Sequence, residues 1–318
     1  MEYLFAPLEG ITYPEFRKVH ARLFPGAAEY YAPFIAPGSG GFKPGFLKKH
    51  YPDSACGYRL IPQLLANNAE LFLETANLLA DMGFDELNLN IGCPSGTVFA
   101  KHKGAGMLTD LSSLQIFLDK VFAETPVKLS IKTRMGVEST GEFAEILRIY
   151  NAYPVSKLIV HARSRSGYYK SPVDRRGVAA AMMCSDLPIC YNGDVFSSQD
   201  LNALMEVIPG LASVMIGRGA VANPALIRML SGGKELSAEE LQSFLRELLE
   251  AYRQSNLGES VSIRRMKELW YYMGSLFPGG EKRLKAILKA RNTAEYENAL
   301  SELFASGCFN GQKSFINL

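Results

Sequence analysis

The sequence predicts a parallel (β/α)8 TIM barrel over residues 1–230, followed by a smaller C-terminal helical domain over residues 231–318. Three observations lead there. Short apolar segments recur at fairly regular intervals, most are followed by an amphipathic stretch, and no convincing strand pattern occurs after Leu230. Alternating strand and helix patterns ask for a parallel sheet with crossover helices. Eight such units favour a closed barrel over an open doubly wound sheet. A chain of 318 residues with 47% hydrophobic content can bury one barrel-sized core and an appendage.

The candidate strands are residues 3–7, 28–35, 59–65, 86–91, 127–134, 157–162, 187–192 and 213–217. LIVHA and SVMIG are nearly continuous apolar runs, as suits strands buried on both faces. Between strands, residues 69–82 and 111–122 place apolar side chains at three- and four-residue spacing, the helical pattern. Residues 36–50, APGSGGFKPGFLKKH, read as a mobile basic loop. SGGKELSAEE then marks a linker and a helix start: Ser237 and Glu240 form a capping box that opens a helix through about Arg253.

Charge and cysteines narrow the function. The 34 Lys and Arg against 32 Asp and Glu leave a net +2, too little to argue for a nucleic-acid partner, so any electrostatic case must be local. Cys56, Cys93, Cys184, Cys190 and Cys308 are scattered, without the C-x-x-C spacing of zinc or thiol-exchange sites, so no metal is expected and a reducing compartment fits. The start, MEYLFAPLEG, lacks the features of a signal peptide, and no run approaches a membrane span. The expectation is a soluble cytoplasmic protein without membrane contact.

In such a barrel the active site is built where the strands end at their carboxyl termini. Those ends carry NLNIGCPS at 88–95, Lys132-Thr133-Arg134, His161-Ala162-Arg163, Asn192-Gly193-Asp194 and Gly217-Arg218-Gly219. The last two suit a phosphate, because glycines let backbone N–H groups approach an anion and Arg218 adds charge, although Gly-Arg-Gly alone is also an ordinary turn. Lys132 and His161 would face the mouth from adjacent strands and suit an electron-rich ring carbonyl; alone, each also reads as a solvated lysine or a satisfied strand-end histidine. Cys93 is framed by Gly92 and Pro94 on a stiff turn outside the packing periodicity. With a reference pKa of about 8.5 its thiol is protonated at neutral pH and suits proton donation to a developing carbanion. The other cysteines default to small core hydrophobes.

APLEGIT, Gln63 in IPQLL, NLNIGCPS, KGAGML from Lys103, Lys132 with Arg134, His161 with Arg163, YNGDV and MIGRGAVANP occur together in one order. With these the chain resembles the tRNA-dihydrouridine synthases over nearly its whole length. The resemblance implies non-covalent FMN contacted by Pro7, Leu8, Glu9, Gln63, Lys132, His161, Asn192, Gly193, Asp194, Gly217 and Arg218. It implies that Asn90, Arg134 and Tyr169 hold the target uridine. It also implies a cycle in which NADPH reduces FMN, hydride passes to C6 of uracil, and Cys93 protonates C5. Two features depart from the family pattern: Gly96 stands where lysine is common, and HARSRSGYY lacks the threonine and glutamine often found after the histidine. Neither is in the flavin set; both bear on RNA contacts and on the modified position.

From Val261 to Arg291 the basic residues are Arg264, Arg265, Lys267, Lys282, Arg283, Lys285, Lys289 and Arg291 against Glu268 and Glu281, a local charge of 8 minus 2, or +6. Trp270, Tyr271 and Tyr272 interleave aromatic surface with this charge, and the segment resembles the family's RNA-binding helical domain. Lys282, Arg283 and Lys285 are the RNA contacts it offers. The implied partner is tRNA, with ribosomal RNA as the alternative; no protein partner is implied. Two rival readings stand beside this one. A small-molecule FMN barrel of the dihydroorotate or dihydropyrimidine dehydrogenase kind would turn over free bases, and a non-catalytic RNA-binding barrel would carry no flavin.

Overall fold

Every strand expected from the sequence is present and every pairing is parallel in the computed structural model, which describes residues 1–38, 40–42, 45–51, 57–255 and 257–312. The strands are β1 (Glu2–Phe5), β2 (Glu29–Tyr31), β3 (Leu60–Ile61), β4 (Gln63–Leu64), β5 (Glu86–Ile91), β6 (Lys128–Arg134), β7 (Leu158–His161), β8 (Ile189–Asn192) and β9 (Ser213–Ile216). They lie in the order β3-β2-β1-β9-β8-β7-β6-β5-β4. The third expected strand is thus two. Pro62 offers no N–H to the ladder, and there the segment changes partners. Leu60 and Ile61 lie opposite Tyr30 and Tyr31, whereas Gln63 and Leu64 lie opposite Asn88 and Leu89. Because the two ends of the order are halves of one segment, the sheet closes as a barrel.

Contacts divide the chain into two compact units, which differ from a single cut after Leu230. Met1–Ala6, Ala28–Asp194 and Asn202–Met215 form the first; Pro7–Ala27, Val195–Leu201 and Ile216–Leu318 form the second. In the first, Leu158, Ile159 and Val160 are wholly buried, which accounts for the unbroken apolar run of β7, and Leu87, Leu89, Ile91 and Ile131 are wholly buried between polar strand residues. The amino ends of its strands are tied by charge: Lys157 Nζ reaches Glu29 Oε2 at 2.6 Å, and Arg59 Nη2 reaches Glu86 Oε2 at 3.0 Å. Helices Ala69–Asp81 and Leu111–Glu124 start where Asn68 and Asp110 accept backbone N–H groups, and they meet through an edge-to-face contact of Phe72 and Phe117. The expected loop at 36–50 ends in a short helix, Phe46–His50; residues 39, 43 and 44 of it, like Cys56, lie outside the described residues.

The cysteines divide. Cys190 is the buried core hydrophobe expected of it, but Cys184 is exposed and Cys308 half-buried. Both follow a helix end, Arg175–Met183 and Thr293–Phe304 respectively, beyond the packed faces, so the core reading does not hold for them.

In the second unit the capping box is as expected: Glu240 N–H donates to Ser237 Oγ and Ser237 N–H to Glu240 Oε2, opening the helix Ala238–Gln254. Its Phe244 packs edge-on against Phe16 and Phe24. His20 is sealed beside them, with Nε2 3.0 Å from the Pro224 carbonyl oxygen, and burial pushes its pKa down to about 3. The unfolded chain therefore binds a proton below about pH 6.5 that the folded unit refuses, so His20's contribution is full above that pH and is lost progressively as pH falls toward 3. Between pH 7 and 5 this amounts to about 2 kcal/mol. Denaturant unfolding at both pH values should show His20→Phe reducing that pH-dependent loss by about this amount. Among the described residues no helix is long and apolar enough to cross a membrane.

Candidate active site

In the first unit the carboxyl ends of β4 to β8 bring the predicted polar residues together. The register sets their levels: Gln63 lies opposite Asn88, Asn90 opposite Lys132, Arg134 opposite His161, and His161 opposite Asn192. Gln63, wholly buried, donates to Asn88 Oδ1 at 2.7 Å and accepts from Asn90 Nδ2 at 2.8 Å. Asn88 donates onward to Ser130 Oγ. The Asn90 side-chain oxygen Oδ1 accepts the N–H groups of Gly92 at 3.0 Å and Cys93 at 2.9 Å. A chain of mutually satisfied buried amides thus ends on the turn that presents Cys93, and satisfied networks of this kind are rigid.

KGAGML supports the same turn. Gly104 adopts φ +56°, and a Cβ there would sit 2.9 Å from Cys93 Cβ; the Ala105 N–H donates to the Cys93 carbonyl at 3.2 Å. Only glycine permits both the conformation and the approach. From the other side comes Arg134, 1% exposed. Its Nε donates to the Gly92 carbonyl at 3.0 Å, and its Nη1 donates to the carbonyls of Ser164 at 2.8 Å and Tyr168 at 2.9 Å. Burial lowers its pKa to about 10, which still leaves it a cation. Arg134 therefore ties the Cys93 turn to the loop after β7. Nothing in the spacing signals this role, because its acceptors are backbone carbonyls.

Arg163, absent from the predicted site set, holds Asp194 through Nη1 at 3.0 Å to Oδ1 and a second contact from Nη2 to Oδ2. Its Nη1 lies 3.4 Å from His161 Nε2, and its Nε donates to the Ser171 carbonyl at 2.6 Å. The His161 ring lies 5.7 Å from that of Tyr169. The basic-acidic pairing of the HAR and NGD motifs is a signal that sequence reading could have used. Asn192 donates to the Met215 carbonyl, bridging β8 and β9, and Gly193 has no room for a Cβ because the Tyr191 phenol lies against it.

Lys132 is half-buried and makes no hydrogen bond or ion pair among the described residues. Burial, with Arg134 as the next cause, lowers its pKa to about 8; the groups acting the other way are the thiols of Cys190 and Cys93. At neutral pH a desolvated cation with no carboxylate among its neighbours awaits an electron-rich ligand.

The remaining predicted cofactor residues lie in the second unit. The N–H of Leu8 donates to Thr12 Oγ1 in the turn containing Gly10, with Pro7 and Glu9 beside it in the chain. Gly217 precedes the helix Arg218–Ala222, and the Arg218 guanidinium lies 5.4 Å from the Phe196 ring centre.

The predicted RNA surface is also in this unit, with two corrections. Trp270 is buried and donates to Tyr296 Oη at 3.0 Å, so it belongs to the helical core. Ile263, Met266, Trp270 and Met273 repeat at three and four residues, a helical stripe that could have shown this. Arg265 pairs with Glu15 and lies 3.8 Å from the Tyr13 ring centre, so it serves packing. Lys282, Arg283, Lys285 and Lys289 are exposed on the helix Glu281–Lys289 and form no ion pair among the described residues, and Tyr271 is 59% exposed.

The sequence model of the dihydrouridine synthase (Dus) family matches residues 4–306. A probable tRNA-dihydrouridine synthase of Rhodobacter capsulatus is 28% identical over 310 residues, 94% of each chain. A tRNA-dihydrouridine(16) synthase of Neisseria meningitidis is 28% identical over 268 residues, 80% of each chain. Among solved structures, morphinone reductase superposes with a TM-score of 0.50 at 12% identity over 75% of this chain and 88% of its own, a likeness of barrel fold. A match spanning nearly the whole chain, on a barrel whose strand ends converge on Cys93, places this protein in the dihydrouridine synthase family.

Proposed function

We propose that this protein reduces the C5–C6 double bond of a uridine in tRNA to dihydrouridine in the cytoplasm, with bound FMN and NADPH as reductant. The observation that carries this reading is the Cys93 turn, fastened by Asn90, Arg134 and Gly104 in the same cluster as Lys132, a cation with no ion pair among the described residues. These residues fit a flavin. Lys132 supplies a desolvated N–H donor for the electron-rich side of the ring, Gln63 is fixed by Asn88 and Asn90, and His161 lies against Arg163. Asn192, Gly193 and Asp194 line the same strand ends, while Pro7, Leu8, Glu9, Gly217 and Arg218 are the positions that the family resemblance adds.

A bound FMN, once reduced by NADPH, would supply a hydride for C6 of the uracil ring. Cys93 then gives its thiol proton to C5: the S–H bond breaks as the C5–H bond forms, and the thiolate recovers a proton from solvent. Asn90 and Arg134 serve the uridine by holding this turn, and Tyr169 offers its ring beside them. The base must leave its stack to reach the site, so the RNA needs an anchor elsewhere. Residues 231–318 provide it as an RNA-binding helical domain, with Lys282, Arg283 and Lys285 on phosphates. Relatives named for position 16, at 26–28% identity, make uridine 16 the first position to examine.

Purified protein should be yellow, and denaturation should release all of the colour as FMN, because no residue is positioned by motif to bond the flavin covalently. Colour that stays with the precipitated chain, or FAD in the supernatant, would refute the cofactor assignment.

A further inference from the structure

Two consecutive tyrosines in the loop after β7 face different ways. Tyr169 turns to the His161 ring and the Arg134 guanidinium, each at 5.7 Å. Tyr168 instead lies over Arg165, whose Cζ is 5.4 Å from its ring centre, and Arg165 in turn lies 4.1 Å from the ring centre of Phe99. Phe99 ends the short helix Gly96–Phe99 that follows Cys93. Ring, guanidinium and ring thus form a stack joining the segments on either side of the Cys93 turn.

This stack is held in place and faces outward. Tyr168 has φ +46°, a left-handed conformation uncommon outside glycine. Its carbonyl accepts from Arg134 Nη1 and its N–H donates to the Arg165 carbonyl, so the surroundings enforce the conformation. The Tyr168 side chain nevertheless remains partly in solvent, with the residue 39% exposed. Arg165 forms no ion pair among the described residues, and its buried Nε has no acceptor there; its guanidinium lies between the two rings. Residues 94–103 and 163–173 contain Lys101, Lys103, Arg163, Arg165 and Lys170 and no Asp or Glu. Arg163 is taken up by Asp194, whereas Arg165 lies against the exposed Tyr168 ring and the three lysines belong to the same two segments. Simple loop packing would require neither the exposed tyrosine nor the surplus charge.

We propose that Tyr168, backed by Arg165 and Phe99, is a shelf on which a base next to the extruded uridine stacks, with the neighbouring lysines on its phosphates. The proposal rests on the reading that uridine in RNA is the substrate. An aromatic face accepts any base, and the guanidinium beneath it adds both plane and charge. The shelf lies in the two segments that depart from the family pattern at Gly96 and in HARSRSGYY, so it is suited to setting which RNA context this chain accepts.

The test is equilibrium binding of the flavin-loaded full chain to an unmodified tRNA transcript and to a short single-stranded oligoribonucleotide, over a salt series. Tyr168→Ala should weaken both by about five- to hundredfold, while the slope of log affinity against log salt stays parental. Tyr168→Phe should bind like the parent. Arg165→Lys, which keeps the charge but loses the plane, should fall between them. Parental affinity in Tyr168→Ala, or an equal loss in Tyr168→Phe, overturns the shelf. Flavin content and melting temperature identify a misfolded variant, in which case Arg165→Lys decides alone. Binding is read without turnover, so a parent that binds RNA but forms no dihydrouridine would refute the catalytic reading while the shelf is still judged; a parent that binds no RNA refutes both.

Discussion

Cys93→Ala should slow uridine reduction by about 10² to 10⁴-fold in single turnover with prereduced enzyme, while flavin reduction by NADPH continues near the parental rate. Hydride arrival at C6 places enolate charge across C5 and O4, and a positioned acid contributes in that range when it protonates such a centre. Reduction of the flavin has no such need. Alanine keeps the Cβ against which Gly104 packs and the N–H that Asn90 accepts, so the turn survives and only the acid is lost. Serine, a much weaker acid, should improve only partly on alanine. A parental rate in that assay, or loss of FMN by the variant, excludes Cys93 as the proton donor.

Replacing Lys282, Arg283 and Lys285 together by glutamate should reduce the slope of log affinity against log salt by about 2 to 3, at nearly one counterion per lost phosphate contact. Extrapolated from a common value at molar salt, that is about 10² to 10³-fold in tRNA affinity at a tenth of that salt concentration. Flavin content should not change, since Ile287 is the buried residue of this helix and the three substituted residues are exposed. Parental affinity and slope at low salt would show that the basic helix is not the RNA platform.

How much was legible in the sequence depended on what kind of partner each residue has. The bounds of β5 are legible because Leu87, Leu89 and Ile91 alternate with polar residues and turn residues flank the segment. The third strand was seen but not its division, since the loss of one N–H at Pro62 matters only once both neighbours are in place. Cys93 stood out because glycine and proline frame it. Its supports did not: Arg134 grips backbone carbonyls, and the amide chain through Gln63, Asn88 and Asn90 joins strands far apart in sequence. Counting charge overstated the basic face, because Arg265 serves an ion pair and a tyrosine ring, and naming aromatics misplaced Trp270, whose helical phase buries it. Segregation of the first helix, Pro14–Leu23, with the C-terminal helices rests on Phe16, His20 and Phe24 meeting Phe244, a tertiary match that local pattern does not carry.

The most direct measurement is a map of dihydrouridine at single-nucleotide resolution in the tRNA and ribosomal RNA of cells with and without this gene. The account predicts that one tRNA position, first to be sought at uridine 16, loses dihydrouridine without the gene and regains it when the parental gene is restored, and that the Cys93→Ala gene restores far less. Identical tRNA maps in the two strains, or a loss confined to ribosomal RNA, would contradict it.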